Sequence, residues 1–356
     1  MIMAGGTGGH VFPALAIAEA LRASREIVWL GTRRGIEARL VPAAGYPVEW
    51  IDVEGLRGKG VFRWLGAPLQ VLKAVAQARR ALARRSPGVV LGLGGFASGP
   101  GGIAAWLSGA PLVIHEQNAV AGLTNRWLAR IAAFRAEGFP GSFPAARAAV
   151  YVGNPVRPAI AALPPPRQRF ESRSGPMRLL VFGGSQGATA LNRLVPDAVA
   201  LLPESRRPRV LHQTGTKDRE ATEAAYRAAG IDADVRAFVD DMAAAYADAD
   251  LVISRSGAST VAELAAAGVG AILVPYPAAV DDHQTRNAEW LGRVSAAQVV
   301  PEAGLTGAEL ANRLATLFGN GRSRLLAMAE AARALAVTDA ARRVADLCLQ
   351  AEAGHA

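Results

Sequence analysis

The chain has 356 residues, of which 51% are hydrophobic and 19% charged; at about 150 residues per domain this predicts two domains with sizeable cores and excludes a disordered protein. A single cysteine, Cys348, excludes an internal disulfide or a cysteine-rich zinc site and suits a reducing compartment, and five histidines without HxxxH or HExxH spacing argue against a zinc hydrolase. The net charge of +9 is uneven: residues 1–157 carry 18 Lys/Arg against 8 Asp/Glu, and residues 158–356 carry 21 against 22, so the first half is the one suited to a polyanion or an anionic membrane surface.

Met1 runs almost directly into a glycine loop, so no signal peptide is expected. Ile2-Met3-Ala4 ends a short apolar strand, Gly5-Gly6-Thr7-Gly8-Gly9-His10 is the loop, and Leu15, Ile17, Ala18 and Leu21 mark a helix with Pro13 near its first turn. A strand–glycine loop–helix unit offers backbone N–H groups and a positive helix end to a phosphate, although glycines also permit tight helix–strand packing. The dinucleotide pattern GxGxxG is not met: its third glycine position holds Val11. The second strand, Ile27–Leu30, ends in Gly31-Thr32-Arg33 without an acid for a nicotinamide ribose, so no such cofactor is expected.

Between Val61 and Arg85, Trp64, Leu65, Leu69, Leu72, Val75 and Leu82 recur at helical spacing among Arg63, Lys73, Arg79, Arg80, Arg84 and Arg85, with Arg57 and Lys59 just before. This is either an amphipathic helix packed on its own sheet, or a face in which Phe62 and Trp64 touch lipid while the cations meet anionic headgroups. Ser86–Ile114 has 29 residues without a charged side chain, but its eight glycines and three prolines would break a spanning helix. It reads as buried strand, glycine loop, helix and strand. His115-Glu116-Gln117-Asn118 then follows the strand Pro111–Ile114, and four polar residues there point to a site, with His10 or Glu116 as candidate general base.

Asn154 to Pro158 leads into Pro164-Pro165-Pro166 and a polar, Arg-rich run to Pro176, which reads as a linker. The theme then repeats: strand Leu179–Phe182, loop Gly183-Gly184-Ser185-Gln186-Gly187, and a helix from Ala188. Short apolar runs alternating with helices in both halves predict an α/β fold with parallel sheets covered on both faces. After strand Leu251–Ile253, the segment Ser254-Arg255-Ser256-Gly257-Ala258-Ser259-Thr260-Val261-Ala262-Glu263 places hydroxyls and N–H groups where a diphosphate would bind, with Glu263 poised for a ribose diol. A capping box with Ser259 or Thr260 accounts for the same residues. Asp281 and Asp282, before His283, Gln284 and Asn287, are either an Mg²⁺ pair or a charged helix start. Asp339–Ala353 reads as one helix with Asp339 as N-cap. No RNP-like, zinc-finger or helix-turn-helix signature occurs, so no nucleic acid is expected.

Six motifs in order — Gly5 to His10, Gly94-Gly95-Phe96 with Ser98-Gly99-Pro100, His115 to Asn118, Gly153-Asn154-Pro155-Val156-Arg157, Gly183 to Gly187, and Arg255-Ser256-Gly257-Ala258 — resemble the MurG family of bacterial peptidoglycan N-acetylglucosaminyltransferases, over residues 2–345. The resemblance implies a GT-B fold, with two Rossmann-like parallel-sheet domains facing a cleft. Residues 1–157 would take the lipid acceptor and face the membrane, residues 158–338 would bind the donor, and helix 339–353 would pack back on the first domain. It implies inverting transfer of GlcNAc from UDP-GlcNAc to the MurNAc C4 hydroxyl of undecaprenyl-pyrophosphoryl-MurNAc-pentapeptide, converting lipid I to lipid II in peptidoglycan synthesis. No metal or other cofactor is implied. The location implied is peripheral, on the cytoplasmic face of the cell membrane, with proteins of cell-wall synthesis and division as partners.

The family's donor contacts fall on Thr7, Gly8, Gly9, Asn118, Arg157, Ser185, Val239, Ala258, Ser259, Thr260, Val261, Ala262, Glu263 and Gln284. Membrane contacts would be Phe62, Arg63, Trp64, Leu65, Leu69, Lys73, Arg79 and Arg80. Phe96 replaces a tyrosine of many members, Ser259 an apolar residue and His283 a glutamine of some. Two other classes are weighed: another enzyme of this fold, such as a UDP-GlcNAc 2-epimerase or a glycolipid transferase, and a non-enzymatic nucleotide-sugar sensor. The basic apolar segment 61–85 disfavours the epimerase, and His10 with Glu116 disfavours the sensor.

Overall fold

The computed structural model describes residues 1–53, 61–184 and 187–355, except the side chains of 61–68 and of Val280. The chain divides into two units, Met1–Pro155 together with Asp339–Ala356, and Val156–Thr338.

Unit 1 contains β1 (Ile2–Met3), α1 (Gly8–Leu21), β2 (Trp29–Gly31), α2 (Glu37–Ala43), β3 (Val48–Trp50), α3 (Val61–Arg85), β4 (Val90–Gly92), α4 (Ser98–Leu107), β5 (Leu112–Glu116), α5 (Leu123–Leu128), β6 (Phe134–Glu137) and β7 (Val150–Tyr151). Its strands run parallel in the order β3-β2-β1-β4-β5-β6-β7. Adjacent strand residues point to opposite faces, and here both faces are apolar. Ile2, Trp29, Leu91 and Val113 enter one core, and Met3, Leu30, Val90, Leu112 and Ile114 enter the other. That is why the strands read as unbroken hydrophobic runs. The first core is closed by Val11, Ile17 and Leu21 of α1, and the second by Val75, Ala78 and Leu82 of α3 with Ala104 and Ala105 of α4.

Unit 2 contains α6 (Pro158–Ala161), α7 (Pro166–Glu171), β8 (Arg178–Phe182), α8 (Thr189–Ala200), β9 (Arg209–Gln213), α9 (Arg219–Ala228), β10 (Ala233–Arg236), α10 (Met242–Asp248), β11 (Leu251–Ser254), α11 (Ala258–Ala267), β12 (Gly270–Leu273), α12 (His283–Gly292), β13 (Ala297–Val299), α13 (Gly307–Phe318) and α14 (Ser323–Ala334). Its parallel order is β10-β9-β8-β11-β12-β13. The final helix, α15 (Ala340–Ala353), belongs to unit 1 and adds Val344, Leu347 and Cys348 to the core that holds α1. Burial pushes the Cys348 thiol up to about 12, so it is a packed apolar group rather than a nucleophile.

In each sheet the strand order reverses once, between β1 and β4 and between β8 and β11. Connections leave for opposite faces there, which opens a crevice at the carboxyl ends of those strands. The glycine loops stand at these points. Gly95 has φ +82°, and a Cβ on it would lie 2.3 Å from the carbonyl oxygen of Gly5, so the loops after β1 and β4 meet backbone to backbone and only glycine fits.

Three local expectations change. Helix α1 begins at Gly8, so Pro13 lies in its second turn rather than its first. Asp339 occupies the N-cap position of α15, but its carboxylate pairs with Arg342 and Arg343 instead of capping a backbone N–H. The Arg-rich run expected as a linker is an ordered part of unit 2. Arg169 donates to the carbonyls of Ala267 at 2.5 Å and Gly268 at 2.7 Å, the orphan acceptors at the end of α11. Arg173 donates to Asp250 at 2.5 Å, and both side chains are buried. Asp250 also accepts from the Arg178 amide at 2.9 Å and pairs with Arg322 at 3.0 Å.

Removing that carboxylate would leave a buried guanidinium without its counter-charge. Asp250→Ala should cost about 3–5 kcal/mol, read as a lowered urea midpoint for the full chain.

Candidate functional site

In unit 1 the loop from β1 enters α1 at Thr7, and His10 lies in the helix's first turn. The loop is held from beneath by Glu37, a fully buried carboxylate with no cation beside it among the described residues. It accepts from the Gly6 amide at 2.9 Å, the Thr32 amide at 3.1 Å and the Thr32 hydroxyl at 2.7 Å. Ser98 pins the neighbouring loop: its hydroxyl accepts from the Gly94 amide at 3.1 Å and lies 2.6 Å from the Gly94 carbonyl.

The polar run after β5 splits by face. His115 and Gln117, two residues apart on extended chain, share one side. Gln117 Oε1 lies 2.9 Å from His10 Nδ1, Gln117 Nε2 lies 2.9 Å from His115 Nδ1, and His115 Nε2 lies 3.0 Å from the Gly153 carbonyl. Burial lowers the His115 pKa to about 4, so this imidazole is neutral. Glu116 takes different partners: its carboxylate accepts from the Asn118 amide at 2.9 Å, the Asn118 side chain at 3.2 Å, the Gly122 amide at 3.1 Å and Asn125 at 2.9 Å. With four donors on two oxygens, Glu116 is committed to shaping the loop that carries Asn118.

In unit 2 the loops after β8 and β11 flank the reversal, with Ser185 outside the described residues. Helix α11 has Gly257 at its N-cap and no side-chain cap, so the capping box is not built and the first-turn N–H groups of Ala258, Ser259 and Thr260 are available to an anion. Gln284 braces this loop, its Oε1 accepting from the Tyr276 amide at 3.0 Å and the Ser256 amide at 3.3 Å, while Ser256 Oγ donates to the Gln284 carbonyl at 2.8 Å. Arg255 pairs with Glu302 and donates to the Val274 carbonyl at 3.1 Å.

Glu263, in the second turn of α11, is gripped from two sides. Arg157 Nη2 lies 3.0 Å from its Oε1, and the buried Tyr246 hydroxyl donates to Oε2 at 3.1 Å. Burial pushes the Glu263 carboxyl above its ordinary range, against the lowering influence of Arg157 and Tyr246. Val261 and Ala262 precede it on the same helix, and Val239 is half-buried in the loop before α10. Asp282 accepts from the Thr285 hydroxyl at 2.6 Å and serves the start of α12.

The side chains of Phe62, Arg63, Trp64 and Leu65 lie outside the described residues, but Leu69 and Leu72 of α3 are 74% and 65% exposed, and Lys73, Arg79 and Arg80 are also exposed. The uncharged stretch 86–114 forms the buried strand, glycine loop, helix and strand expected of it, and its helix is buried on one side only. Ile103, Trp106 and Leu107 of α4 face solvent, as do Leu123 and Trp127 of α5, with the Arg130 guanidinium 4.1 Å from the Trp127 ring. Helix α4 packs against both α3 and α5, so these side chains stand on neighbouring helices. Sequence reasoning missed Glu37 and Tyr246, which no motif marks. It also missed Trp106 and Trp127, whose signal was large aromatics on otherwise small-residue or polar helices.

The chain matches the glycosyltransferase family 28 N-terminal domain over residues 1–135 and the C-terminal domain over residues 178–344. Two enzymes named UDP-N-acetylglucosamine–N-acetylmuramyl-(pentapeptide) pyrophosphoryl-undecaprenol N-acetylglucosamine transferase are each 56% identical to it. The one from Nitrosococcus oceani aligns over 99% of both chains, and the one from Aeromonas hydrophila over 100% of this chain and 97% of its own. The crystal structure of Acinetobacter baumannii MurG superposes with a TM-score of 0.86 at 42% identity, covering 98% of this chain and 99% of that one. With two parallel sheets, a glycine loop at each reversal of strand order and identity of this extent, the chain belongs to the family of UDP-N-acetylglucosamine–N-acetylmuramyl-(pentapeptide) pyrophosphoryl-undecaprenol N-acetylglucosamine transferases, which are glycosyltransferases of GT-B fold.

Proposed function

We propose that this chain transfers GlcNAc from UDP-GlcNAc to the MurNAc C4 hydroxyl of undecaprenyl-pyrophosphoryl-MurNAc-pentapeptide, with inversion at the anomeric carbon. The observation that carries this reading is the 56% identity, across 355 residues, to a relative whose name specifies that donor and that acceptor. The geometry supplies a role for each end of the reaction. In unit 2, the open N-terminus of α11 and the loop after β8 receive the diphosphate, Ser259 and Thr260 add hydroxyls, and Glu263 takes the ribose diol. Arg157, Val239, Val261, Ala262 and Gln284 complete or brace that donor site. In unit 1, Thr7, Gly8, Gly9 and Asn118 contribute N–H and amide groups.

An inverting transfer needs a base at the acceptor hydroxyl and stabilisation of departing UDP. His10 is the base: its imidazole is half-buried beside a glycine loop, whereas both carboxylate oxygens of Glu116 already accept hydrogen bonds from Asn118, Gly122 and Asn125. Helix N-termini and neutral donors meet the charge that develops on the diphosphate.

Unit 1 is the acceptor and membrane half. A 25-residue α3 with Leu69 and Leu72 outward, the exposed Trp106 and Trp127, and the excess of cations suit a peripheral position on an anionic leaflet, at the cytoplasmic face where a nucleotide sugar is available. Among the described residues no helix is long and apolar enough to cross a membrane. An acceptor anchored by an undecaprenyl chain would draw division and wall-synthesis proteins to the same surface.

Four measurements follow from these roles. Incubation with UDP-GlcNAc and a short-chain lipid I analogue should release UDP and form the disaccharide. Glu263→Ala should weaken donor binding by about 2–4 kcal/mol, read as a raised donor KM with acceptor KM unchanged. Glu263 must be ionised to accept two hydroxyls, and burial raises its pKa, so UDP-GlcNAc affinity in a direct binding titration should fall with decreasing pH from a point above the usual carboxylate range; Glu263→Gln should flatten that dependence. Turnover should persist in EDTA, and loss of turnover with rescue by Mg²⁺ would reassign Asp281 and Asp282.

For the membrane, sedimentation with anionic vesicles should be strong at low salt and fall steeply as salt rises. Lys73, Arg79 and Arg80 replaced together by Gln should release the protein while activity on a water-soluble acceptor continues. Equal binding to zwitterionic vesicles would return α3 to an ordinary packed helix.

A further inference from the structure

The hydrogen bonds behind His10 determine which of its ring nitrogens carries a hydrogen. Two backbone carbonyls settle the chain, because a carbonyl oxygen can only accept. His115 Nε2 lies 3.0 Å from the Gly153 carbonyl, so Nε2 carries the hydrogen. His115 is fully buried and neutral, so its Nδ1 is a bare acceptor. One end of the Gln117 amide lies 2.9 Å from that Nδ1 and 3.1 Å from the His115 carbonyl. Both are acceptors, so this end is the NH₂ group, and the amide orientation follows. The opposite end, Oε1, is an acceptor facing His10 Nδ1 at 2.9 Å, so Nδ1 is the protonated nitrogen. In neutral His10 the lone pair is then on Nε2, which has no hydrogen-bond partner among the described residues.

We propose that Gln117 and His115 are positioning residues that hold His10 as its Nδ1–H tautomer, with Nε2 presented as the catalytic base. The proposal rests on the assignment of His10 as base. In the step it serves, Nε2 takes the proton of the acceptor hydroxyl as that oxygen bonds to the anomeric carbon. The carbon–oxygen bond to the diphosphate breaks, and its electron pair leaves with UDP. The imidazolium that forms keeps Nδ1–H on the Gln117 oxygen, so the chain needs no rearrangement. Backbone bonds brace it: the Asn154 side chain donates to the Gln117 carbonyl at 2.9 Å, and Asn125 to the His115 carbonyl at 3.2 Å. The relay ends on a neutral carbonyl rather than a carboxylate, so it selects a tautomer without adding negative charge beside an anionic donor.

The test uses the full chain with UDP-GlcNAc and a water-soluble lipid I analogue. Gln117→Leu keeps the volume and removes the acceptor; kcat should fall about tenfold to a hundredfold, as when a functional histidine loses the partner that fixes its ring, with donor KM unchanged. In long-range ¹H–¹⁵N correlation spectra of the histidine-labelled wild type, His10 should show a protonated Nδ1 and a bare Nε2, and Gln117→Leu should show a mixture. A wild-type spectrum with Nε2 protonated overturns the proposal, even if the variants do not fold. So does wild-type kcat in Gln117→Leu, or a His10 spectrum in that variant unchanged from the wild type, which would mark packing alone. His10→Ala at the wild-type rate overturns the base assignment itself, and the spectrum distinguishes that failure from failure of the relay.

Discussion

A parallel sheet whose strand order reverses once is the constraint on which the rest depends. Right-handed connections send the helices on either side of the reversal to opposite faces, so the carboxyl ends of the two central strands are left uncovered. In unit 1 this happens between β1 and β4, and in unit 2 between β8 and β11. Each of these strands is followed by a loop of small residues, and three of the four loops contain paired or spaced glycines. The close backbone approach of Gly95 to Gly5 and the uncapped start of α11 are local consequences of this placement.

Four glutamates beside the loops and helix α11 are used in two ways, and their partners tell them apart. Glu37, Glu116 and Glu137 accept from amide N–H groups or from Thr and Asn side chains of nearby loops. Such bonds satisfy the charge locally and give the loops one shape, a structural use. Glu263 is held instead by a half-exposed Arg157 and a buried tyrosine hydroxyl, one on each oxygen. That arrangement orients a carboxylate while leaving lone pairs for another ligand. The arginines divide similarly. Arg169, Arg173 and Arg322 close helix ends and meet Asp250 inside unit 2. Arg79 and Arg80 of α3 are exposed, and Arg130, just after α5, lies over the exposed Trp127 ring, as amphipathic residues do at an interface.

Much of this was legible in the amino-acid order. Alternating short apolar runs and helical periods specify parallel sheets covered on both faces, because only a strand buried on both sides can be apolar at every position. Six ordered motifs carry the family, and the glycine loops announce where anions are met. A run without charges does not show which side of its helix is covered: α4 buries the side carrying Ala104 and Ala105 and leaves Trp106 exposed. The segment around Arg169 was misjudged because arginines signal solvent unless carbonyl acceptors await them, and those acceptors come from residues about a hundred positions away.

The sequence by itself determined the element types, the two-unit repeat and the residues from which a site could be drawn. It made His10 the candidate base and kept Glu116 as its rival, since a histidine and a glutamate beside glycine loops can both take a proton. The tertiary structure gives the two different surroundings. Partner choice depends on which groups converge in space: Gly153 reaches His115, Gln117 reaches His10, and Asn118, Gly122 and Asn125 fill both oxygens of Glu116. A buried polar group must be satisfied by whatever the fold brings to it, and local sequence does not carry that information.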